Sequence, residues 1–326
     1  MISLLTNQDF QKKQIVFVLF NEGEKMVFSN DNIVIKNVDG KVKLQCTCYR
    51  LFLVVAVGHT SITTALIQKA QKFGFFIALM TSGFKLYSII GACKDGNTLL
   101  RQKQYKYSGL EIAKVITKNK MQNQLYILKS VRDKSDSVKE AIASINKYII
   151  KISNVNNLNE LMAYEGLTSK IYFRNHFNNV LWQGRQPRIK RDYINSALDV
   201  GYTILFAFID ALLSSYGFDT YCGVMHRQFY MRKSLVCDIV EPFRPIIDYE
   251  IKKAINLKQI KQEDFVIINH QFRLKWEESA KYVKIFMKSI IENKQNIFTY
   301  IQTFYRAFMK ELSAGEYPVF NMGDKV

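Results

Sequence analysis

Cysteine is sparse and scattered in this chain. Cys46 and Cys48 are separated by one residue, too tight for the usual zinc pair, and no second pair follows. A cysteine-built structural zinc is excluded, and all five cysteines read as free thiols in a reducing compartment. The N-terminus has no basic stretch followed by a signal-like apolar core, and no run approaches the roughly twenty apolar residues needed to span a bilayer, so a cytoplasmic protein away from membranes is expected. Internal repeats and low-complexity segments are absent. Acidic residues are in short supply too, 28 Asp and Glu against 46 Lys and Arg, for a net charge of +18. That balance points to a polyanionic partner. Lysine, asparagine and isoleucine are abundant in the way an AT-rich genome favours, so arginine is the cleaner probe. Seven of the twelve arginines fall between Arg174 and Arg244, and their forks match phosphate geometry better than lysine does.

At 326 residues, 48% of them hydrophobic, the chain exceeds what one core usually serves. Residues 1 to about 95 read as strand: Ile15–Phe20, Ile33–Ile35, Val42–Leu44, Leu51–Val57, Phe75–Met80 and Lys85–Ile90 are short apolar or alternating runs, with turn residues at Asn30–Asn32 and Asp39–Gly40. One helix is expected over Ile62–Phe73, capped by Thr60 or Ser61, and His59 beside them reads as a turn residue. Asp95-Gly96-Asn97 marks the expected boundary. Beyond it apolar residues recur at three and four, predicting helices over 110–131, 137–150, 192–216 and 276–312. The expected fold is α+β, a small β-rich N-terminal domain (1–95) followed by a larger all-helical domain (96–326). His270 reads as structural, and Gly315–Val326 as a loose tail.

The chemistry concentrates between Gly223 and Pro245. His226, one of four histidines, is followed by Asp238 and Glu241. The two acids are three apart, so on a helix they share a face and can converge on one ion. His226 lies too far back for that face and is expected on the preceding loop. Pro242 and Pro245 interrupt the helix and are expected to free the carbonyls of Asp238 and Glu241 for water or a cation. Spacing alone also fits acids paired with Arg232, Lys233 or Arg244 on a solvated helix; a His with two acids is a weak motif. Gly166 beside Glu165 costs roughly 1 kcal/mol against alanine and suggests close backbone packing or approach of a ligand. The connection holding Arg185, Arg188, Lys190 and Arg191 reads either as a plain polar loop or, beside an acidic site, as a phosphate-backbone clamp. Asp210 is expected to hydrogen-bond structurally, and Asp248 to pair on the surface with Lys252.

The order Gly223-x-x-His226, Arg232-x-Ser234-Leu235, Asp238, Glu241-Pro-Phe-Arg-Pro245 resembles the signature of the CRISPR-associated spacer-acquisition integrase family, Cas protein one. Tyr164-Glu165-Gly166 with Tyr172-Phe173, and Asn195 with Gly201–Leu205, resemble the family's upstream blocks; Arg101-Gln102 and Asn123-Gln124-Leu125 are a weaker echo. The resemblance covers about residues 100 to 250. It implies a metal-dependent DNA endonuclease and integrase that joins the 3′-hydroxyl ends of short DNA fragments to a CRISPR array. It implies Mg²⁺ or Mn²⁺ held by Glu165, His226 and Glu241, with Asp238 in the same pocket, and DNA contacts from Arg185, Arg188, Arg191, Arg232 and Arg244. A homodimer bridged by a small ferredoxin-like adaptor, Cas protein two, is implied as well. Readings of another class are a structure-specific DNA nuclease and a non-catalytic basic scaffold.

Overall fold

The computed structural model describes residues 5–132, 134–178, 182, 184–187, 189–226 and 230–323. Its first third is a β region. A short helix α1 (Asn7–Gln11), boxed by Thr6 and Asp9, leads into β1 (Gln14–Phe20), β2 (Lys25–Ser29), β3 (Asn32–Lys36), β4 (Val42–Thr47) and β5 (Leu51–Gly58). Helix α2 (Thr64–Phe73) follows, then β6 (Phe76–Met80) and β7 (Leu86–Gly91). The cap of α2 is Thr63, whose side chain accepts from the Leu66 N–H, so the helix starts two residues later than expected. One sheet has the order β1-β5-β6-β7, parallel except for β7; a second runs β2-β3-β4, antiparallel. Strand β2, which carries no strong pattern, forms because Asn30 and Asp31 both take positive φ and turn it back onto β3.

Strand β5 explains its own uninterrupted apolar sequence. Leu53, Val55 and Val57 join the core shared with the helices, while Val54 and Ala56 join a second core with Ile33, Ile35 and Leu66. Both faces are covered, so no polar alternation survives.

Helices make up most of the rest: α3 (Thr98–Lys106), α4 (Glu111–Ser130), α5 (Asp136–Lys151), α6 (Leu158–His176), α7 (Tyr193–Tyr216), α8 (Ser234–Val240) and α9 (Arg244–Asn256). The hairpin β8 (Phe265–Ile268) and β9 (Gln271–Leu274) and the 32-residue α10 (Ser279–Lys310) complete the fold. The predicted α+β order stands: a β-rich N-terminal region, then a mainly helical one. The hairpin is the strand element that helical periodicity hid. Its turn is Asn269-His270, both at positive φ, which gives His270 its structural role.

Asn97 at the expected boundary caps α3 and donates to the Tyr216 carbonyl at 2.9 Å, so this junction is packed against α7. One hydrophobic cluster runs from the strand residues Phe52 and Phe76 through α7 to Phe298 and Phe304 of α10. Helix α7 is long and apolar enough to cross a membrane by composition, which corrects the expectation of no such run. Yet 83% of its apolar 18-residue stretch is buried, as befits a helix packed against α8, α9, α10 and strands β5, β7 and β9. The final segment also departs from a loose tail. Phe320 is buried, and its backbone exchanges hydrogen bonds with Asn119 and Asn123 of α4 at 2.7–2.9 Å.

Candidate active site

The acids expected to hold an ion come together where α4, α6 and the α8–α9 junction meet. The junction is a helix broken by Pro242: α8 ends at Val240, Glu241–Phe243 form a single 3-10 turn, and α9 resumes at Arg244 with Pro245 in its first turn. The freed carbonyls expected here are not free. The Glu241 N–H donates to Asp238, the Arg244 N–H to Glu241, and Asn123 Nδ2 reaches the Pro242 carbonyl at 3.0 Å. Tightening to 3-10 geometry repairs what proline removes.

The break has a second effect: Asp238 and Glu241 part company. Asp238, fully buried, faces the His226 loop. Its Oδ2 accepts from the Val224 and Met225 N–H groups at 2.6 and 3.0 Å, and its Oδ1 from the His226 N–H at 2.9 Å. The His226 ring lies on the same Oδ1 through Nδ1 at 2.5 Å. With Nδ1 committed, any ligand bond from this imidazole runs through Nε2, the arrangement by which carboxylates orient metal-binding histidines. Gly223 makes the grip possible, since a Cβ there would sit 2.7 Å from Asp238 Oδ2 and 2.8 Å from Ser234 Cβ.

Glu241 instead faces α4. Its Oε2 lies 2.6 Å from the Lys120 ammonium and its Oε1 3.1 Å from the Arg244 guanidinium. Glu165 of α6 reaches the same ammonium from the other side and accepts from Ser169 at 2.8 Å. Burial alone would push Glu241 up, but Arg244 and Lys120, helped by nearby His226, hold it down at about 2. Burial likewise works against the Lys120 charge, and Glu165 and Glu241 outweigh it to keep that pKa above the ordinary lysine value.

The sequence motifs single out Glu165, Glu241, His226 and Asp238 but not Lys120. A signal exists: Lys120 falls on the buried face of α4 with Ile116, Thr117 and Gln124, and a lysine in that register needs a charged partner. Asp248 corrects another expectation. It is buried on α9, not paired on the surface, and receives the Tyr202 hydroxyl; burial pushes its carboxyl up to about 6. Asp210 has its structural role, taking Lys233 at 2.6 Å.

Beside Glu165 opens a cleft of about 1320 Å³, lined by Lys120, Glu165, Lys170, Arg174, Arg185 and Arg244 among others. Gly166 borders it with nothing within 4 Å of where a Cβ would stand, so close packing is not what keeps a glycine there. The expected arginines divide. Arg185 is tied to Asn195 Oδ1 at 3.0 Å and Asp199 at 2.6 Å, and with Arg244 it flanks the Tyr202 ring, so both brace the cleft wall. Arg191 is exposed and Arg232 half-buried; Arg188 lies outside the described residues.

Among the described residues no three His, Cys, Asp or Glu side chains form a ready ligand set. The donor chemistry nevertheless fits a divalent ion, because two carboxylates from separate helices already converge on a cation, the Lys120 ammonium.

The family model described as CRISPR associated protein Cas1 matches residues 17–288. The CRISPR-associated endonuclease Cas1 1 of Thermodesulfovibrio yellowstonii is 30% identical over 227 residues, 65% of this chain and 71% of that protein. Among solved structures, a casposase bound to integration product superposes with a TM-score of 0.78 at 19% identity, covering 95% of each chain. A Cas6-RT-Cas1–Cas2 complex matches with a TM-score of 0.81 at 20% identity, over 95% of this chain and 36% of that longer one. These two likenesses establish the shared fold. With the signature residues between Gly223 and Pro245 present in order and the family model matched from the first sheet into α10, the chain belongs to the CRISPR-associated Cas1 family.

Proposed function

We propose that this protein is a metal-dependent DNA endonuclease and integrase of CRISPR adaptation, joining 3′-hydroxyl ends of short DNA fragments to array DNA. The observation that carries the reading is the convergence of Glu165 and Glu241 on one cation, Lys120, in the wall of a basic cleft, with the His226 imidazole, held by a buried carboxylate, near enough to act on Glu241. Its relatives support it: one is named an endonuclease, and the casposase structure holds an integration product.

Glu165, Glu241 and His226 Nε2 would hold Mg²⁺ or Mn²⁺. That ion supplies Lewis-acid polarisation of the scissile phosphate and a lowered pKa for the attacking hydroxyl. Asp238 fixes the tautomer and direction of the imidazole. Arg244 keeps Glu241 ionised and stands beside the cleft, where it offsets phosphate charge as it develops. Lys170, Arg174 and Arg191 supply sequence-independent contacts to the DNA backbone. The partners of this reading are double-stranded DNA fragments, array DNA, a Cas2 adaptor as in the complex named above, and a second copy of the chain; the setting is the cytoplasm. The free edge β4, with Val42 and Leu44 exposed, favours the homodimer, which a sedimentation profile checks.

His226→Ala and Glu165→Ala should each abolish joining of a 3′-hydroxyl end to array DNA with Mn²⁺, while DNA affinity stays nearly intact. Joining at the normal rate in the His226 variant rejects the ion site. Cleavage without joined products would favour a structure-specific nuclease, and no metal effect on DNA at all would favour a scaffold.

A further inference from the structure

An ammonium inside a protein keeps its charge only where carboxylates offset the lost water. Lys120 is 6% exposed, and its Nζ is wedged between Glu165 and Glu241. Arg244 holds the remaining oxygen of Glu241. Two carboxylates thus already meet two cations, and this pair has no uncompensated negative charge with which to attract a dication. A divalent ion seated between Glu165 and Glu241 would also stand where the ammonium stands, and like charges in a partly dry site repel strongly. One of the two must leave. Lys120 has the means to go: its stem is a flexible four-carbon chain, and the residue lines the cleft beside Glu165.

We propose that Lys120 is a built-in stand-in cation. It fills the position between Glu165 and Glu241 while no metal is bound, is displaced by the incoming divalent ion, and then turns into the cleft, where a DNA phosphate replaces the carboxylates as its partner. The inference rests on the ion site proposed above. It makes Lys120 a positioning residue that keeps two buried acids apposed in the empty site and sets how tightly the ion is held.

The test is Mn²⁺ binding by calorimetry on the purified full chain, beside thermal melts, for wild type, Lys120→Met, Lys120→Arg and Glu165→Gln. Lys120→Met should bind Mn²⁺ at least about tenfold tighter than wild type, the scale on which groups around metal ligands act. It should melt lower than wild type without metal and gain more on adding Mn²⁺. Lys120→Arg, which keeps the charge, should bind no tighter than wild type. Equal or weaker binding by folded Lys120→Met, with Glu165→Gln having lost the ion, overturns the role of Lys120 and leaves the ion site standing. No Mn²⁺ binding by wild type and Lys120→Met alike overturns both. A measurement on wild type alone covers the case in which Lys120→Met does not fold: acetylation of Lys120 by acetic anhydride, read by mass spectrometry, should rise several-fold when Mn²⁺ is added. No rise overturns the displacement.

Discussion

At the scale of single residues the site turns on how closely one backbone approaches one carboxylate. The three N–H groups from Val224 to His226 reach Asp238 only because Gly223 has no side chain; its φ is ordinary, so the demand is for space and not for an unusual conformation. Gly223→Ala should therefore leave the fold standing and push the His226 loop off its anchor. A misplacement near 1 Å at a reacting centre costs on the order of 100-fold in rate, so the strand-joining rate should fall by that factor, and the melting temperature should fall too because the buried Asp238 loses N–H partners. Full activity in this variant would mean that the Asp238 grip does not set the imidazole. The glycine, the histidine and the acids are all legible in sequence as types at fixed spacing. What spacing does not carry is direction. Asp238 and Glu241, three apart, would share a face on an unbroken helix; the proline break turns one toward the loop and the other toward Lys120.

At the scale of elements, α6, α7 and α9 meet where His176, Tyr202 and Asp248 touch. His176 Nε2 lies 3.0 Å from the Asp248 carbonyl, and the Tyr202 hydroxyl bonds the Asp248 carboxyl. Burial pushes Asp248 up to about 6 and His176 down to about 4 from 6.5. Their effects on stability have opposite sign. The folded protein holds the Asp248 proton more tightly than the unfolded chain, so that contribution is full at low pH and is lost as pH rises through about 6. His176 resists protonation, so its contribution is full above 6.5 and is lost as pH falls toward about 4. Asp248→Asn should leave the His176 effect unopposed, and denaturant unfolding between pH 4 and pH 6.5 should show stability climbing with pH more steeply than in wild type. An unchanged slope would place Asp248 in its ordinary range. Of the helices at this seam α7 is readable from its apolar period, yet spacing puts Asp248 on the surface because Lys252 stands four residues on. Local spacing cannot see Tyr202, 46 positions away. Strands β2 and β8 escape for a similar reason: turn residues at positive φ define them, not alternation in their own sequence.

At the scale of the whole molecule, the N-terminal β region and the helices are one packed body. Phe10 of α1 stacks on Phe298 of α10 with centroids 4.1 Å apart and meets Phe52 of β5 edge-on at 5.1 Å. Phe10→Ala should cost about 3–5 kcal/mol in denaturant unfolding, in a single transition that also reports loss of the helical half. Two separate transitions would mean that the regions unfold apart. Charge acts on the same scale. With a net charge of +18, DNA affinity should fall steeply with salt, and replacing Arg174 and Arg191 by alanine should lower the log–log slope by about 0.9 for each phosphate left without its arginine. Binding isotherms at two or more salt concentrations measure it. Arg185→Ala, by contrast, should act through loss of its Asn195 and Asp199 bonds, lowering stability more than slope.

Helix α7 also bears on how the protein is born. It is buried along most of its length, and although β5, β7 and the Asn97 cap of α3 precede it in the chain, its partners α8, α9, β9 and α10 all follow. As the ribosome releases residue 216, this hydrophobic helix is already made and more than half of its packing surfaces are still untranslated. The last of them, α10, ends at Lys310. Through that interval the nascent chain must keep a bare apolar cylinder from other chains, so yield in a cell should respond to synthesis rate and to chaperones that shield such segments.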